Sequence, residues 1–333
     1  MIDLVKIKLL ITTDELYRIV ERNNLDQSIL GDPCNMNSDR KPKIIFDNTH
    51  NKRNEQIGYT IRVELDTLTL NIDFNPHKIY NKRKIGLLLN HNDFTMSMAR
   101  QIIEYLSWAI GIDLYMSRVN YFEIGANLVV EKDPREYMGK MISIGRLKLD
   151  KDFMESSSFK PKRQFTTRKH KDNKVVYKVY DKVFEILDNN KDLDPEHPEL
   201  QRNIIRIETS YRRVENITLG ELMSPPKVAK ITSRFFSDWR TVDFEKTLIV
   251  PKGTNQTKIN IAQSIYRKGI TETLNREIER HKRGELSEKQ LRNIKRFISK
   301  DWELFKAQSK FLQSDVEKEF RKKLKIAENL LKN

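Results

Sequence analysis

Residues 175–185 (Val-Val-Tyr-Lys-Val-Tyr-Asp-Lys-Val-Phe-Glu) place a tyrosine between two lysines, with a carboxylate close behind. As a strand, this stretch puts Val175, Tyr177 and Val179 on one face and Val176, Lys178, Tyr180 and Lys182 on the other. A helix starting at the strand end brings Glu185 within one turn. The chemistry available to such a group is attack on a phosphate. A phenol can form a covalent phosphotyrosine, which splits one hard step into two and conserves the energy of a broken phosphodiester. Its reference pKa of about 10 makes it a poor nucleophile near neutral pH. Lys178 and Lys182, or a metal ion, would have to favour the phenolate. The competing reading is an ordinary tyrosine packed at a sheet end, since tyrosine is common in strands.

Three carboxylates, Glu123, Glu185 and Glu208, fall at or just past the ends of strand-like runs. Oxygen ligands from separate elements are what a hard divalent cation such as Mg²⁺ or Mn²⁺ takes, and such an ion polarises a scissile phosphate. The alternative is that each glutamate pairs with a nearby cation; Arg206 and Arg212 share the face of Glu208. Lys178, Arg206 and Arg212 are the cations expected to meet DNA. The six histidines (His50, His77, His91, His170, His197 and His281) form no His-x-His pair and support no zinc site. His77 and His91 are expected to serve hydrogen bonding. No glycine-rich phosphate loop ending in Lys-Ser/Thr is present.

The wider composition narrows the partners. The 333 residues carry 62 Lys and Arg against 47 Asp and Glu, a net +15, which favours a polyanionic partner, nucleic acid above all. An apolar fraction of 38% builds a core, and no apolar run is long enough to span a membrane. Charges interrupt the first residues at once, so no signal peptide is expected. The single Cys34 excludes an internal disulfide framework and fits a reducing, cytoplasmic setting.

The elements that must position these groups follow from periodicity. Residues 2–10 alternate as a strand, and Thr12 and Thr13 cap a helix with Leu16, Ile19 and Val20 on one face. Residues 31–42 read as a loop. Runs at 44–46, 58–65 and 68–74 form a meander that Pro76 ends. A polar connection precedes a helix over 94–110, with Asp93 as its cap and Met98, Ile102, Leu106 and Ile110 as a stripe. A strand over 114–124 is expected to break at Gly125 and Asn127. A short helix over 135–141 and a polar loop over 150–163 follow. Residues 165–168 and 174–180 form a hairpin around Lys171-Asp172-Asn173, 188–201 an exposed connection, and 203–211 a strand. Capping-box patterns at Ser287–Gln290 and Ser314–Glu317 announce helices. The fold class is therefore α+β: an antiparallel sheet flanked by helices over 1–215, then a basic, mainly helical region over 216–333.

The order of these segments resembles the replication-initiation endonucleases of the filamentous-phage gene II type and their plasmid relatives, tyrosine nickases of the HUH-like class. The likeness covers about residues 1–225. It rests on Met1-Ile2-Asp3-Leu4, on Ser117-Arg118-Val119-Asn120-Tyr121-Phe122-Glu123, on Lys174–Tyr180 with Asp181, Lys182 and Glu185, and on Arg206-Ile207-Glu208-Thr209 with Tyr211. It implies that Tyr180 is the nucleophile with Lys182 beside it. It also implies that Glu123, Glu185 and Glu208 hold Mg²⁺ or Mn²⁺, a carboxylate site replacing the histidine pair of the wider class. The implied activity is nicking of one strand at an origin, single-stranded or supercoiled, in a bacterial host, starting rolling-circle replication with a host helicase or polymerase. An aspartate would be expected either at Asn120 or where Glu123 stands, and Tyr177 is a second candidate nucleophile that the pleat turns to the other face. The rival functions are a relaxase-like nickase for conjugative or transposon transfer and a non-catalytic DNA-binding protein.

Overall fold

A computed structural model describes residues 2–30, 43–48, 58–145, 147–148, 162–165, 175–189, 193–194, 196–212, 214 and 216–332. The expected loop over 31–42, most of the loop over 150–163, the turn at Lys171-Asp172-Asn173, Cys34, His50 and His170 lie outside the described residues.

The chain is α+β, built on a nine-stranded antiparallel sheet. Its strands are β1 (Ile2–Leu10), β2 (Asp26–Leu30), β3 (Lys43–Asp47), β4 (Tyr59–Glu64), β5 (Thr69–Phe74), β6 (Arg118–Val130), β9 (Lys162–Phe165), β10 (Val175–Asp181) and β11 (Asn203–Arg212), in the order β2-β3-β4-β5-β1-β6-β11-β10-β9. Short strands β7 (Met141–Ile144), β8 (Leu147–Lys148) and β12 (Val242–Phe244) form a second sheet, and β13 (Thr247–Ile249) and β14 (Lys310–Leu312) a third. Helices α1 (Thr13–Asn23), α2 (Pro76–Ile85), α3 (Met96–Ile110), α4 (Pro134–Lys140) and α5 (Lys182–Asn189) connect the strands. Beyond them come α6 (Leu219–Leu222), α7 (Pro225–Arg240), α8 (Gln256–Lys268), α9 (Ile270–Lys282), α10 (Glu288–Arg296), α11 (Trp302–Gln308) and α12 (Asp315–Lys332). No described helix is long and apolar enough to cross a membrane.

Local signals place most of these elements. Thr12 caps α1 with a reciprocal Glu15 bond, and Ser287 does the same for α10 with Gln290. Three departures matter. Helix α2 fills what reads as a polar connection: Pro76 starts a helix at its first position rather than merely ending a strand, with Asn75 as cap. Helix α3 is capped by Thr95, two residues after Asp93. The third departure is β6, which runs unbroken through Gly125 and Asn127 to Val130, because Tyr121–Val130 pairs with β11 throughout: Gly125 faces Glu208 and Asn127 faces Arg206.

The change in character near residue 215 is not a break in packing. Leu219, Leu222, Phe235, Phe236 and Trp239 are buried in the same core as the sheet, and so are Phe320 and Leu324 of α12. Past residue 215, the described residues also form a separate core within residues 261–305, from Ile261, Ile265, Ile294, Phe297, Trp302 and Phe305.

Candidate active site

Four neighbouring strands, β1, β6, β11 and β10, each send a polar side chain to one face of the sheet. The register fixes the row: Lys178 is opposite Glu208, Tyr180 opposite Arg206, Glu123 opposite Ser210, and β1 pairs with β6 around Glu123. Asp3, Glu123 and Glu208 converge, each with a carboxylate oxygen within 4.8 Å of the others. They open onto a cleft of about 470 Å³ that Lys178, Tyr180, Lys182 and Glu185 also line.

The charges within this row are tightly partnered. Lys178 bonds to Glu123 and stands 3.5 Å from Glu208 Oε2. Glu123 also accepts from Tyr121 and, at 2.6 Å, from Ser210 Oγ. Arg206 is buried and spans two carboxylates, Nη2 to Asp3 Oδ1 and Nε to Glu208 Oε1, both at 3.0 Å, while its Nη1 donates to Asn127 Oδ1 at 2.9 Å. Gly125 makes room for it: a Cβ there would stand 2.6 Å from Arg206 Nη2. A glycine that reads as a strand breaker is thus a close-approach position. Tyr180, 7% exposed, donates to Glu208 Oε1 at 2.5 Å.

These contacts set the proton affinities. Burial pushes the Tyr180 phenol well above its ordinary 10, and the Glu208 charge adds to this. Burial also raises Glu208, helped by Asp3 and opposed by Arg206. For Asp3, the charges of Arg206 and Lys182 outweigh burial, and its carboxyl is held far below the usual carboxylate range. Lys178 and its hydrogen bond outweigh burial at Glu123 and hold it down. Burial lowers Lys182, which is 1% exposed and bonds to Glu185 Oε2 at 2.6 Å.

Several expected site residues are brought together and others are not. Tyr180, Lys182, Lys178, Glu123 and Glu208 line one cleft. Glu185 lines it too but lies outside the carboxylate cluster, tied to Lys182 and Asn189 on the first turn of α5. Asp3 takes the place expected for Glu185. Its signal was a carboxylate between Ile2 and Leu4, but alternation does not give its face, because the pairing with β6 shifts register between Ile2 and Val5. Arg206 is not available to DNA, because Asp3, Glu208 and Asn127 enclose it. Arg212 is exposed at the end of β11. Tyr177 points to the opposite face, donating to Asp238 Oδ2 at 2.9 Å with its ring edge-on to Trp239 of α7. His77 and His91 are both buried; His77 bonds to Asn92 Oδ1 at 2.7 Å and stacks on Phe94.

The donor set suits a hard divalent cation: three carboxylates, no sulfur or imidazole, and one further oxygen. Asn90 is 2% exposed and lines the cleft, its Nδ2 donates to Asp3 Oδ1 at 2.8 Å, and its Oδ1 has no partner among the described residues. Three carboxylates against Lys178 and Arg206 leave one net negative charge. A divalent ion together with one phosphodiester would bring the row to neutrality, which favours binding the two jointly. No protein-family model, no curated protein and no solved structure matches this chain.

Proposed function

We propose that the chain is a DNA strand nickase and strand transferase in which Tyr180 is the nucleophile. The observation that carries this reading is the Tyr180–Glu208 hydrogen bond beside a three-carboxylate cluster on an open cleft. A buried phenol with a raised pKa does not ionise by itself, so its proton must leave as the oxygen attacks. Glu208 Oε1 accepts that bond at 2.5 Å and is placed to take the proton. The Tyr180 oxygen bonds to phosphorus, the bond from phosphorus to the 3′ oxygen breaks, and the DNA stays joined to the protein through its 5′ phosphate. The departing 3′ oxygen needs a proton, and Lys182, whose ammonium form burial disfavours, is placed on the cleft to give it. Religation is the reverse.

Asp3, Glu123, Glu208 and Asn90 would hold Mg²⁺ or Mn²⁺, whose chemistry is to polarise the phosphate and neutralise charge developing on it. Arg206 fixes the orientation of Asp3 and Glu208, and Lys178 that of Glu123. The biological reading that goes with this chemistry is initiation of rolling-circle replication at an origin, supported by the order of motifs in the sequence and by the +15 charge. Conjugative or transposon transfer would use the same residues.

A second reading has its own support. Because Tyr180 is nearly buried and donates to Glu208, the same carboxylates could serve hydrolysis by water with no covalent intermediate. Incubation of labelled single-stranded DNA with Mn²⁺ separates the two. The tyrosine reading predicts a protein–DNA adduct that Tyr180→Phe abolishes. Cleavage without an adduct, undiminished in Tyr180→Phe, would leave the hydrolytic reading standing.

A further inference from the structure

Residues 250–309 leave the main core and return to it. Strands β13 and β14 close the excursion at its base, Thr247 pairing with Leu312 and Ile249 with Lys310. Within it, α8 to α11 surround their own core. Between residues 250 and 310 there are 15 Lys and Arg against 7 Asp and Glu, so about half of the chain's charge excess sits in about a fifth of its length.

A cleft of about 570 Å³ opens between α8, α9 and α10. Glu277, fully buried, holds the two guanidiniums that form one wall: Arg276 Nε at 2.8 Å and Arg280 Nη1 at 2.8 Å. Both side chains remain more than a third exposed. Asn293 and Arg296, one helical turn apart on α10, line the cleft as well. Lys258 lines the cleft as well, its ammonium 5.4 Å from the Phe297 ring centroid. On α10 and the turn after it, no ion pair holds Lys289, Lys295, Arg296 or Lys300 among the described residues. A buried carboxylate that fixes two arginines is a pre-organised arrangement, and guanidiniums with amides are the groups that meet phosphodiester oxygens and base edges.

We propose that this cleft is a second DNA-binding site, which takes the sugar–phosphate backbone against Arg276, Arg280 and Arg296. It shares no lining residue with the carboxylate cleft, so it holds DNA apart from the chemistry. The inference rests on the reading that the chain acts on DNA, and single-stranded and duplex DNA offer it the same phosphodiester.

The test is binding of a fluorescein-labelled mixed-sequence duplex, and of its single strand, to the full chain in EDTA over a range of salt. The variant is the double substitution Asn293→Ala with Arg296→Ala. Both positions are exposed, and an unchanged melting temperature confirms folding. Binding of at least one of the two DNAs is expected to weaken roughly tenfold, with the slope of log affinity against log salt falling by about 1; which DNA weakens identifies the form taken. Wild-type affinity and salt slope for both DNAs in the double variant would overturn the proposal. If wild type fails to cleave while binding still depends on Arg296, the nickase reading falls and this one stands.

Discussion

Arg206 shows how a cation can be structural in a protein rich in cations. It is enclosed by two carboxylates and an amide, and removing it leaves Asp3 and Glu208 buried with an uncompensated charge. Arg206→Met should destabilise the fold by about 3–5 kcal/mol, read from urea denaturation. A loss under 1 kcal/mol would mean that the row is more open to water than its burial indicates. His77 predicts a pH dependence. Burial, with the Arg206 charge beside it, lowers its pKa from the ordinary 6.5 to about 3, so the unfolded chain binds a proton that the folded chain refuses. Stability therefore falls as pH drops from about 6.5 towards 3, by up to about 1.4 kcal/mol per pH unit from this group. The depressed Asp3 acts in the same direction, but only as pH nears and passes below its ordinary 3.8, while the raised Glu208 acts in the opposite direction, so the His77 share is read between pH 7 and 5 as a difference from a variant. His77→Phe keeps the stack on Phe94, and Asn92 Oδ1 still accepts from Asn81. Its urea midpoint should be flatter across pH 7 to 5 than that of wild type, and an equal slope would contradict the assignment.

At the scale of elements, the site depends on four strands keeping one register. Gly125 is the tightest point, because any Cβ there meets Arg206. Gly125→Ala should cost about 1–3 kcal/mol through overpacking and weaken Mn²⁺ binding by moving Arg206 away from Asp3 and Glu208. Calorimetric titration with Mn²⁺ checks this, and wild-type affinity would show that the pair does not depend on Arg206. Much of this was legible beforehand. Alternation alone put Tyr180 and Lys178 on one face and Tyr177 on the other, as found, and the Glu208 strand expected over 203–211 is Asn203–Arg212, whereas the Glu123 strand expected over 114–124 runs from Arg118 to Val130 with Glu123 inside it. What escaped were features set by tertiary pairing. Gly125 and Asn127 carry turn propensity, but β11 overrides it with a full ladder of hydrogen bonds. Helix α2 has too few periodic apolar residues to show itself, and only its Asn75-Pro76 start marks it. Asp3 escaped because a lone carboxylate near a terminus gains meaning only when β1 is laid beside β6.

For the molecule as a whole, the sheet core and the basic excursion are separable in packing. Residues 217–244 and 316–327 belong with the sheet, whereas 261–305 form their own cluster. Because Ile249 and Lys310 are paired neighbours, residues 251–308 can be replaced by a short Asn-Gly turn that closes a two-stranded hairpin. The shortened chain should fold, bind Mn²⁺ as wild type does and form the tyrosine adduct on short single strands, while losing much of its salt-dependent affinity for longer DNA. Failure to fold, seen by circular dichroism, would show that the excursion supports the sheet.

The most direct test of the central claim is peptide mapping of the protein–DNA adduct. Wild-type chain is incubated with Mn²⁺ and labelled DNA, digested, and the labelled peptide identified by mass spectrometry. The expected result is a nucleotide 5′-phosphate on Tyr180, absent without Mn²⁺ and absent in Glu208→Gln. Label on another residue, or strand cleavage with no labelled peptide, would contradict it.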